Sequence, residues 1–239
     1  MRKLRLFLRN AKGFKVVYNF LFWFSNDVIH WKRILIRMYG CRILRTVDEI
    51  IRQGGLPVTP YYGTLLGLVR EGHLLRHDAD MDYAILANEF DLKSFYKSLK
   101  EVGFYFERFE TINGNLSEFS VRYKEVSVDF FVLSKDRERN VWVSLQPLDS
   151  DFVRYEYPDV NAYKDISCSG MTLRVVEGCE QQLDVIYGQW RVVDKNWHGK
   201  KSPSNKGSVK NLGYITGHSR NECEWDAYVR QHPTVSGVL

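Results

Sequence analysis

The chain has 239 residues, of which 44% are hydrophobic and 26% are charged, so it is long enough for one well-buried domain of ordinary globular composition. No apolar run approaches the roughly 18 residues that a membrane span requires. The four cysteines are widely spaced and form neither a disulfide framework nor a zinc-binding pattern, and we expect them to be reduced, buried side chains.

Charge is distributed unevenly along the chain. The net charge is +5, yet eleven of the 34 lysines and arginines, and only one of the 29 acidic residues, lie in residues 1–45. The rest of the chain therefore carries a net charge of −5. A basic end on an acidic body predicts an arm that docks on an anionic surface.

Residues 1–24 repeat apolar side chains at helical spacing, with most of the basic residues on the other side. Such a helix can lie on an anionic membrane, or it can pack its apolar face on the rest of the protein, and the sequence favours neither alternative. Basic residues precede a short apolar run, but no small-x-small cleavage site follows, so export is not expected. We expect a cytoplasmic protein, peripheral at the inner face of the membrane if this helix docks there.

The polar triplet Ser25-Asn26-Asp27 predicts a break in the helix. A second helix is predicted over Val28 to Gln53, where Gly54-Gly55 ends it. Residues 1–54 are therefore predicted to form a basic helical N-terminal region, and residues 55–239 a folded domain of their own.

Strands and helices alternate from residue 55 onward. A short strand over Val58 to Tyr62 leads into Gly63-Thr64 and the first turns of a helix, an arrangement that aims backbone amides at an anion in many phosphate sites. Asn113-Gly114 predicts a hairpin turn. The other predicted strands are Met81 to Leu86, Phe104 to Phe109, Phe119 to Tyr123, Val126 to Leu133, Val141 to Leu145 and Leu173 to Val176, and the other helices are Glu89 to Val102 and Cys179 to Tyr187.

The C-terminal third is less regular. Tyr155 to Pro158 and Cys168 to Gly170 predict loops and short strands, and the basic residues 195–210 predict a mobile loop. Interleaved strands and helices predict an α/β or α+β fold, in which helices flank a mixed sheet.

Two stretches place aspartates inside apolar strands. Asp80 and Asp82 lie two residues apart, so their side chains leave the same face of a strand. Asp129 lies in the apolar run Val126 to Leu133, and Asp78 precedes the first strand. Carboxylates offer only oxygen ligands, which suit Mg²⁺ or Mn²⁺ better than zinc, and paired ions of this kind stabilise phosphoryl transfer.

Each aspartate also has an ordinary explanation. Asp78 can cap the strand in solvent, and Asp129 can face water from an edge strand. Charged residues seldom lie unpaired inside an apolar strand, however. The sequence therefore favours a metal site made of Asp80, Asp82 and Asp129, with Asp78 as a further candidate ligand.

The segment Gly63 to Arg70, GTLLGLVR, followed by His77 to Asp82, HDADMD, resembles the signature of the LicD/fukutin family, within the nucleotidyltransferase-fold superfamily. Val128 to Phe131 resembles the third-acid strand of that family, and Ile186 to Trp190 resembles its Tyr-Gly-x-Trp segment. The resemblance covers about residues 56–197. It implies a nucleotidyltransferase-like mixed sheet flanked by helices, to which the basic N-terminal region is an extension.

The resemblance implies a metal-dependent transfer of a phospho-alcohol, such as phosphocholine. The donor would be CDP-linked, and the acceptor would be a hydroxyl of a cell-surface glycan or of its lipid-linked precursor. Asp80 and Asp82 would bind the Mg²⁺ or Mn²⁺ ions that bridge the donor diphosphate. Asp129 would complete the metal site and accept the proton of the acceptor hydroxyl.

The remaining candidate residues would surround the donor phosphates. The resemblance assigns Gly63 and Thr64 to the phosphate-binding turn, and Arg70 is expected to neutralise charge on the diphosphate. Arg70 can alternatively be a surface arginine at a helix end. His77 is expected to be a polar neighbour of the site, and the lysines of residues 195–210 are more simply explained as a solvated loop than as a lid over the nucleotide.

The chain departs from the family pattern at two places. The family usually has Pro-Trp-Asp-Asp-Asp where this chain has Arg76 to Asp80, and it has an aromatic residue where this chain has Pro60. The first departure leaves the spacing of the metal-binding aspartates intact.

Two other functions remain open from the sequence. A nucleotidyltransferase of the same fold would add NMP to a small molecule or a sugar. A non-catalytic protein would use the basic N-terminal region to bind a membrane or nucleic acid. We expect no nucleic-acid partner, because the body is acidic and lacks basic patches interleaved with aromatic residues beyond residue 45.

Overall fold

The computed structural model describes residues 14–148, 151–159, 162–194, 196–197, 201–204 and 213–238. These residues form a mixed α/β fold in which helices flank a central mixed sheet, as predicted. Most of the predicted loop 195–210 lies outside the described residues, and so do residues 1–13 of the predicted N-terminal helix.

The helices are α1 (Phe14–Gly54), α2 (Tyr62–Leu66), α3 (Leu92–Glu101), α4 (Cys179–Tyr187) and α5 (Glu222–Gln231), and α2 continues into one π-helical turn, Gly67–Glu71. The strands are β1 (Val58–Pro60), β2 (Asp80–Ala87), β3 (Phe90–Asp91), β4 (Tyr105–Ile112), β5 (Asn115–Tyr123), β6 (Val126–Asp136), β7 (Val141–Leu148), β8 (Asp151–Pro158), β9 (Tyr163–Cys168), β10 (Met171–Val176), β11 (Thr216–Ser219) and β12 (Thr234–Val235).

A single helix, α1, runs through the Ser25-Asn26-Asp27 triplet, so the predicted break there was wrong. Each of these residue types is less favourable than alanine in a helix by only about 0.7 kcal/mol or less, and helical hydrogen bonds propagate cooperatively through such positions. The helix has 41 residues and is about 60 Å long. Its C-terminal half is buried through Ile43, Leu44 and Val47, and it ends at Gly54, as predicted.

The main sheet has the strand order β1-β2-β6-β5-β4-β11, and β7 and β8 extend it from the end of β6. β2 and β6 run parallel, and the other neighbouring strands run antiparallel. The predicted hairpin at Asn113-Gly114 is confirmed: both residues have positive φ angles, 51° and 80°, and they connect β4 to β5.

Several predicted elements have different bounds; the strand predicted over Val58 to Tyr62, for example, ends at Pro60, and α2 begins at Tyr62. α3 begins at Leu92 instead of Glu89, because Phe90-Asp91 pairs with β12 and the Asp91 carboxylate caps the helix by accepting a hydrogen bond from the Ser94 amide at 2.9 Å. Tyr155 to Pro158 was predicted as loops and short strands, but it belongs to β8, which pairs with β7 along its whole length.

Hydrophobic clusters cover both faces of the main sheet. α1, α3 and α5 lie over one face, where Trp225 of α5 stacks against Phe106 and Phe119. α2 and α4 lie over the other face. Alternate residues of β2 enter the two clusters, Tyr83 the first and Ala84 the second, so Asp80 and Asp82 share the face of Ala84.

The cysteines are free thiols, as predicted. Cys168 and Cys179 are buried, but Cys41 and Cys223 are exposed on α1 and α5, so the expectation of burial was wrong for these two. Within the part of the chain that the structure describes, none of the helices combines the length and the apolar character that crossing a lipid bilayer requires.

Candidate active site

The parallel pairing of β2 with β6 brings the predicted aspartates together. Asp82 lies opposite Asp129 in the strand register, and neighbouring strands are about 4.8 Å apart. Asp129 shares its face with Phe131, which packs in the same cluster as Ala84 of β2. β6 is a central strand and Asp129 is only 6% exposed, which rules out an edge-strand carboxylate facing water.

Electrostatic repulsion is concentrated at Asp82. Burial raises the pKa of Asp82 well above its usual value, and the nearby carboxylates of Asp80 and Asp129 raise it further. Burial also raises the pKa of Asp80, although the attraction of Lys32 and Arg108 opposes that rise. Among the described residues, no donor and no cation contacts the Asp82 carboxylate. A divalent cation is the natural counterion for such a group.

Asp129 differs from Asp82 because protein groups contact it. Arg108 of β4 approaches its Oδ2 atom at 3.3 Å, and the Ser127 hydroxyl donates to its Oδ1 atom at 3.2 Å. Burial still raises the pKa of Asp129, while Arg108 opposes the rise. Arg108 also pairs with Glu118 of β5 at 2.6 Å, and burial raises the pKa of Glu118 to about 8. Arg108 and Glu118 were not predicted from the sequence, although a glutamate inside the apolar strand β5 was a usable signal.

The glycine turn before β2 is fixed against the aspartates. The Thr64 hydroxyl accepts a hydrogen bond from the Asp82 amide at 2.9 Å, which ties α2 to the start of β2. A Cβ atom on Gly63 would lie 2.9 Å from Oδ2 of Asp78, so glycine allows this carboxylate to approach the backbone closely. Tyr62, one residue earlier, has a φ of 37°, a strained conformation of the kind found at functional sites.

Asp78 stands between the aspartate cluster and a cleft of about 820 Å³. Burial raises its pKa to about 7, with a further contribution from Asp80, while Arg33 and Arg70 oppose the rise. Asp80, Asp82 and Asp129 do not line the cleft. The predicted site residues that do line it are Gly63, Arg70, His77 and Asp78.

Arg70 links the two parts of the cleft wall, because it belongs to the segment Gly63 to Arg70 and contacts the Tyr-Gly-x-Trp segment, Ile186 to Trp190. Its Nη1 atom donates to the carbonyl oxygen of Trp190 at 3.1 Å, and its Nε atom pairs with Glu71 at 2.7 Å. Tyr187 and Trp190, from the Tyr-Gly-x-Trp segment, line the cleft together with Trp197. Arg70 does lie at a helix end, in the last turn before Gly72, as the alternative explanation held, and its side chain also lines the cleft.

The N-terminal helix α1 also reaches this region, a contact that no local sequence pattern predicts. Arg33 lines the cleft, and its Nε atom donates to the carbonyl oxygen of His77 at 2.9 Å. The His77 ring is exposed, with Nε2 3.9 Å from Oδ1 of Asp78. His77 is thus a polar neighbour, as expected, held through its backbone by α1.

The chemistry of the donor set fits a hard divalent cation. Asp80, Asp82 and Asp129 supply oxygen ligands alone, as Mg²⁺ and Mn²⁺ prefer. In the described ranges, no three or more His, Cys, Asp or Glu side chains are already gathered at coordinating distance, so a cation would have to draw the carboxylates together. The uncompensated charge of Asp82 is the observation that favours such a cation.

Comparison with known proteins agrees with this geometry. The model of the LicD/FKTN/FKRP nucleotidyltransferase domain matches residues 55–175, just over half of the chain, and this range contains the glycine turn and all four aspartates. No curated protein matched the sequence. The chain therefore belongs to the LicD/FKTN/FKRP family, and this membership indicates a transferase with a phosphotransferase-type function in glycan modification.

Proposed function

We propose that this protein transfers a phospho-alcohol, such as phosphocholine, from a CDP-linked donor to a hydroxyl of a cell-surface glycan or of its lipid-linked precursor. The observation that carries the proposal is the half-buried Asp82 carboxylate, which lies opposite Asp129 and has no cation partner among the described residues. Family membership supports the transferase, and the resemblance of the glycine turn and the aspartates supports the donor and the acceptor.

Asp80, Asp82 and Asp129 would hold Mg²⁺ or Mn²⁺, with Asp78 as a further ligand at the edge of the cleft. When bound, such an ion neutralises negative charge on the donor phosphates and polarises their P–O bonds. The pairing of β2 with β6 keeps Asp82 and Asp129 side by side, so the ion would draw together carboxylates that already lie on neighbouring strands.

Asp129 would also accept the proton of the acceptor hydroxyl. The hydroxyl oxygen would form a bond to the phosphorus of the phospho-alcohol, the bond from that phosphorus to the CMP oxygen would break, and CMP would leave. A carboxylate with a raised pKa is a better base near neutral pH than an ordinary one. Arg108 and Ser127, which contact the two oxygens of Asp129, would keep it oriented.

The donor would lie in the cleft beside Asp78. Arg70 would contact the diphosphate, with Gly63 and Thr64 at the turn beneath it and His77 at the rim. The aromatic side chains of Tyr187, Trp190 and Trp197 give the cleft an apolar wall suited to a nucleotide base.

The first prediction concerns the product. With Mg²⁺ present, we expect a CDP-linked alcohol to raise the melting temperature more than a UDP-linked donor does. The acceptor glycan should then gain the mass of the phospho-alcohol, with release of CMP, as measured by mass spectrometry. A mass gain equal to a nucleotide would instead assign the nucleotidyltransferase function. If neither the CDP-linked nor the UDP-linked donor supports any transfer to the acceptor, both functions are contradicted.

The second prediction concerns the membrane. We propose that residues 1–24 dock on the anionic inner face of the membrane. Each basic residue near such a surface contributes about 1 kcal/mol, so replacing Arg9, Lys12 and Lys15 with glutamine should weaken sedimentation with anionic vesicles about 100-fold. Replacing Lys93, Lys97 and Lys100 of α3 is the matched control. Equal binding by the two triple variants would show that the N-terminal helix serves packing alone.

A further inference from the structure

The N-terminal helix contributes a cation to a cleft whose other lining residues come from the ranges 63–78 and 187–201. α1 ends before the matched range, residues 55–175, begins. Arg33 of α1 nevertheless lines the cleft together with Arg70, which comes from the π-helical turn after α2. Two guanidinium groups from distant parts of the sequence thus border the same cavity.

Both arginines act on the same side of the site. Each attracts the Asp78 carboxylate, which also lines the cleft and interacts with Asp80. Nε is the only guanidinium nitrogen of Arg33 that donates to a described residue, so its Nη groups make no hydrogen bond within the described chain. Arg70 donates hydrogen bonds to Glu71 and Trp190 through Nε and Nη1, and its guanidinium has further N–H groups that can donate to a ligand.

We propose that Arg33 is a substrate-binding residue, which forms with Arg70 a two-arginine clamp for a diphosphate in the cleft. A guanidinium fork matches the geometry of phosphate oxygens and remains charged at every working pH. The N-terminal helix thereby completes the donor site of the catalytic domain. The identity of the donor rests on the proposed function, whereas the diphosphate chemistry of the ligand does not.

The competing explanation is that Arg33 only fastens the loop that precedes β2. Arg37, one turn further along α1, offers the comparison, because its Nη2 atom donates to the carbonyl oxygen of Arg76 at 3.4 Å but its side chain does not line the cleft. The two arginines therefore share helix, charge and loop contact, and they differ in access to the cavity.

The test is calorimetric titration of the full-length protein with inorganic pyrophosphate, in the presence of Mg²⁺. Loss of a charge-assisted contact should weaken binding at least about tenfold in Arg33→Gln, while Arg37→Gln should stay within about twofold of the wild type. Arg33→Lys, which keeps the charge and loses the fork, should be intermediate and serves in place of Arg33→Gln if that variant does not fold. Unchanged affinity in the Arg33 variants, an equal loss in Arg37→Gln, or no pyrophosphate binding by the wild type would overturn the clamp.

Donor kinetics separate this inference from the proposed function. We expect Arg33→Gln to raise the KM for the nucleotide-linked donor about tenfold and to change kcat less. If the wild type transfers and Arg33→Gln has the same KM, the clamp is wrong and the function stands. If pyrophosphate binding depends on Arg33 but no donor is consumed, the clamp stands and the function fails.

Discussion

Replacing Asp82 with asparagine should lower the rate of transfer by about 1,000-fold or more. The substitution removes a metal-binding charge while it keeps the shape of the side chain and the pairing of β2 with β6. Metal stabilisation of a phosphoryl transition state is worth several kcal/mol, and each 1.4 kcal/mol is a factor of ten in rate. The measurement is CMP release from a CDP-linked donor at saturating Mg²⁺.

The same variant should be more stable than the wild type when metal is absent. Burial and neighbouring carboxylates disfavour the ionised form of Asp82 in the folded state, so a neutral isostere removes repulsion at neutral pH. Thermal unfolding in the presence of a chelator measures this effect. Asp226→Asn, on α5, is the control and should leave both rate and stability unchanged. An active Asp82→Asn enzyme, or a destabilised one, would contradict the role that we assign to this carboxylate.

The pH dependence of stability should be abolished or reversed in sign when Mg²⁺ is added. In the metal-free protein, the pKa values of Asp78 and Glu118 are raised to about 7 and about 8, and those of Asp80, Asp82 and Asp129 are also raised. Between about pH 5 and pH 8 the folded state therefore binds more protons than the unfolded state does, and the free energy of unfolding falls as pH rises.

Mg²⁺ binds the deprotonated carboxylates, so its contribution to stability grows as protons leave. Urea unfolding across this pH range should show a fall of about 2 kcal/mol or more with a chelator, and a flat or rising profile with saturating Mg²⁺. Carboxylates with lowered pKa values, such as Glu107, titrate below this window and do not affect the comparison. Asp82→Asn should lack this effect of Mg²⁺, and parallel profiles in the wild type would argue against a metal site at these aspartates.

Local patterns were sufficient to predict β2 and β6. The two-residue spacing of Asp80 and Asp82 places both on one face in any strand, and the apolar neighbours of Asp129 identify its segment as a strand. The burial of Asp129 depends on the central position of β6 in the sheet. Which strands become neighbours is decided by tertiary packing. Arg108 and Glu118 join the site only because β5 and β4 follow β6 in the sheet order, which no local pattern reveals.

The helices show the same difference between features that local sequence decides and features that tertiary packing decides. The Gly54-Gly55 end of α1 was predictable because it depends on backbone chemistry at two residues. The continuity of α1 and the position of Arg33 were not, since both depend on what the helix packs against. α5 was not predicted, and its stability comes from the aromatic side chains that surround Trp225.

Because α1 is one continuous helix, its length limits the distance between the cleft and any surface to which the beginning of the helix is attached. Phe14 and Arg33 lie on one continuous helix, and the axial distance between them is about 30 Å. An attachment at the start of α1 thus places the cleft no further than this from the attachment point. If residues 1–24 dock on a membrane and the acceptor is a glycan, as we propose, α1 would set the height above the membrane at which an acceptor hydroxyl can enter the cleft.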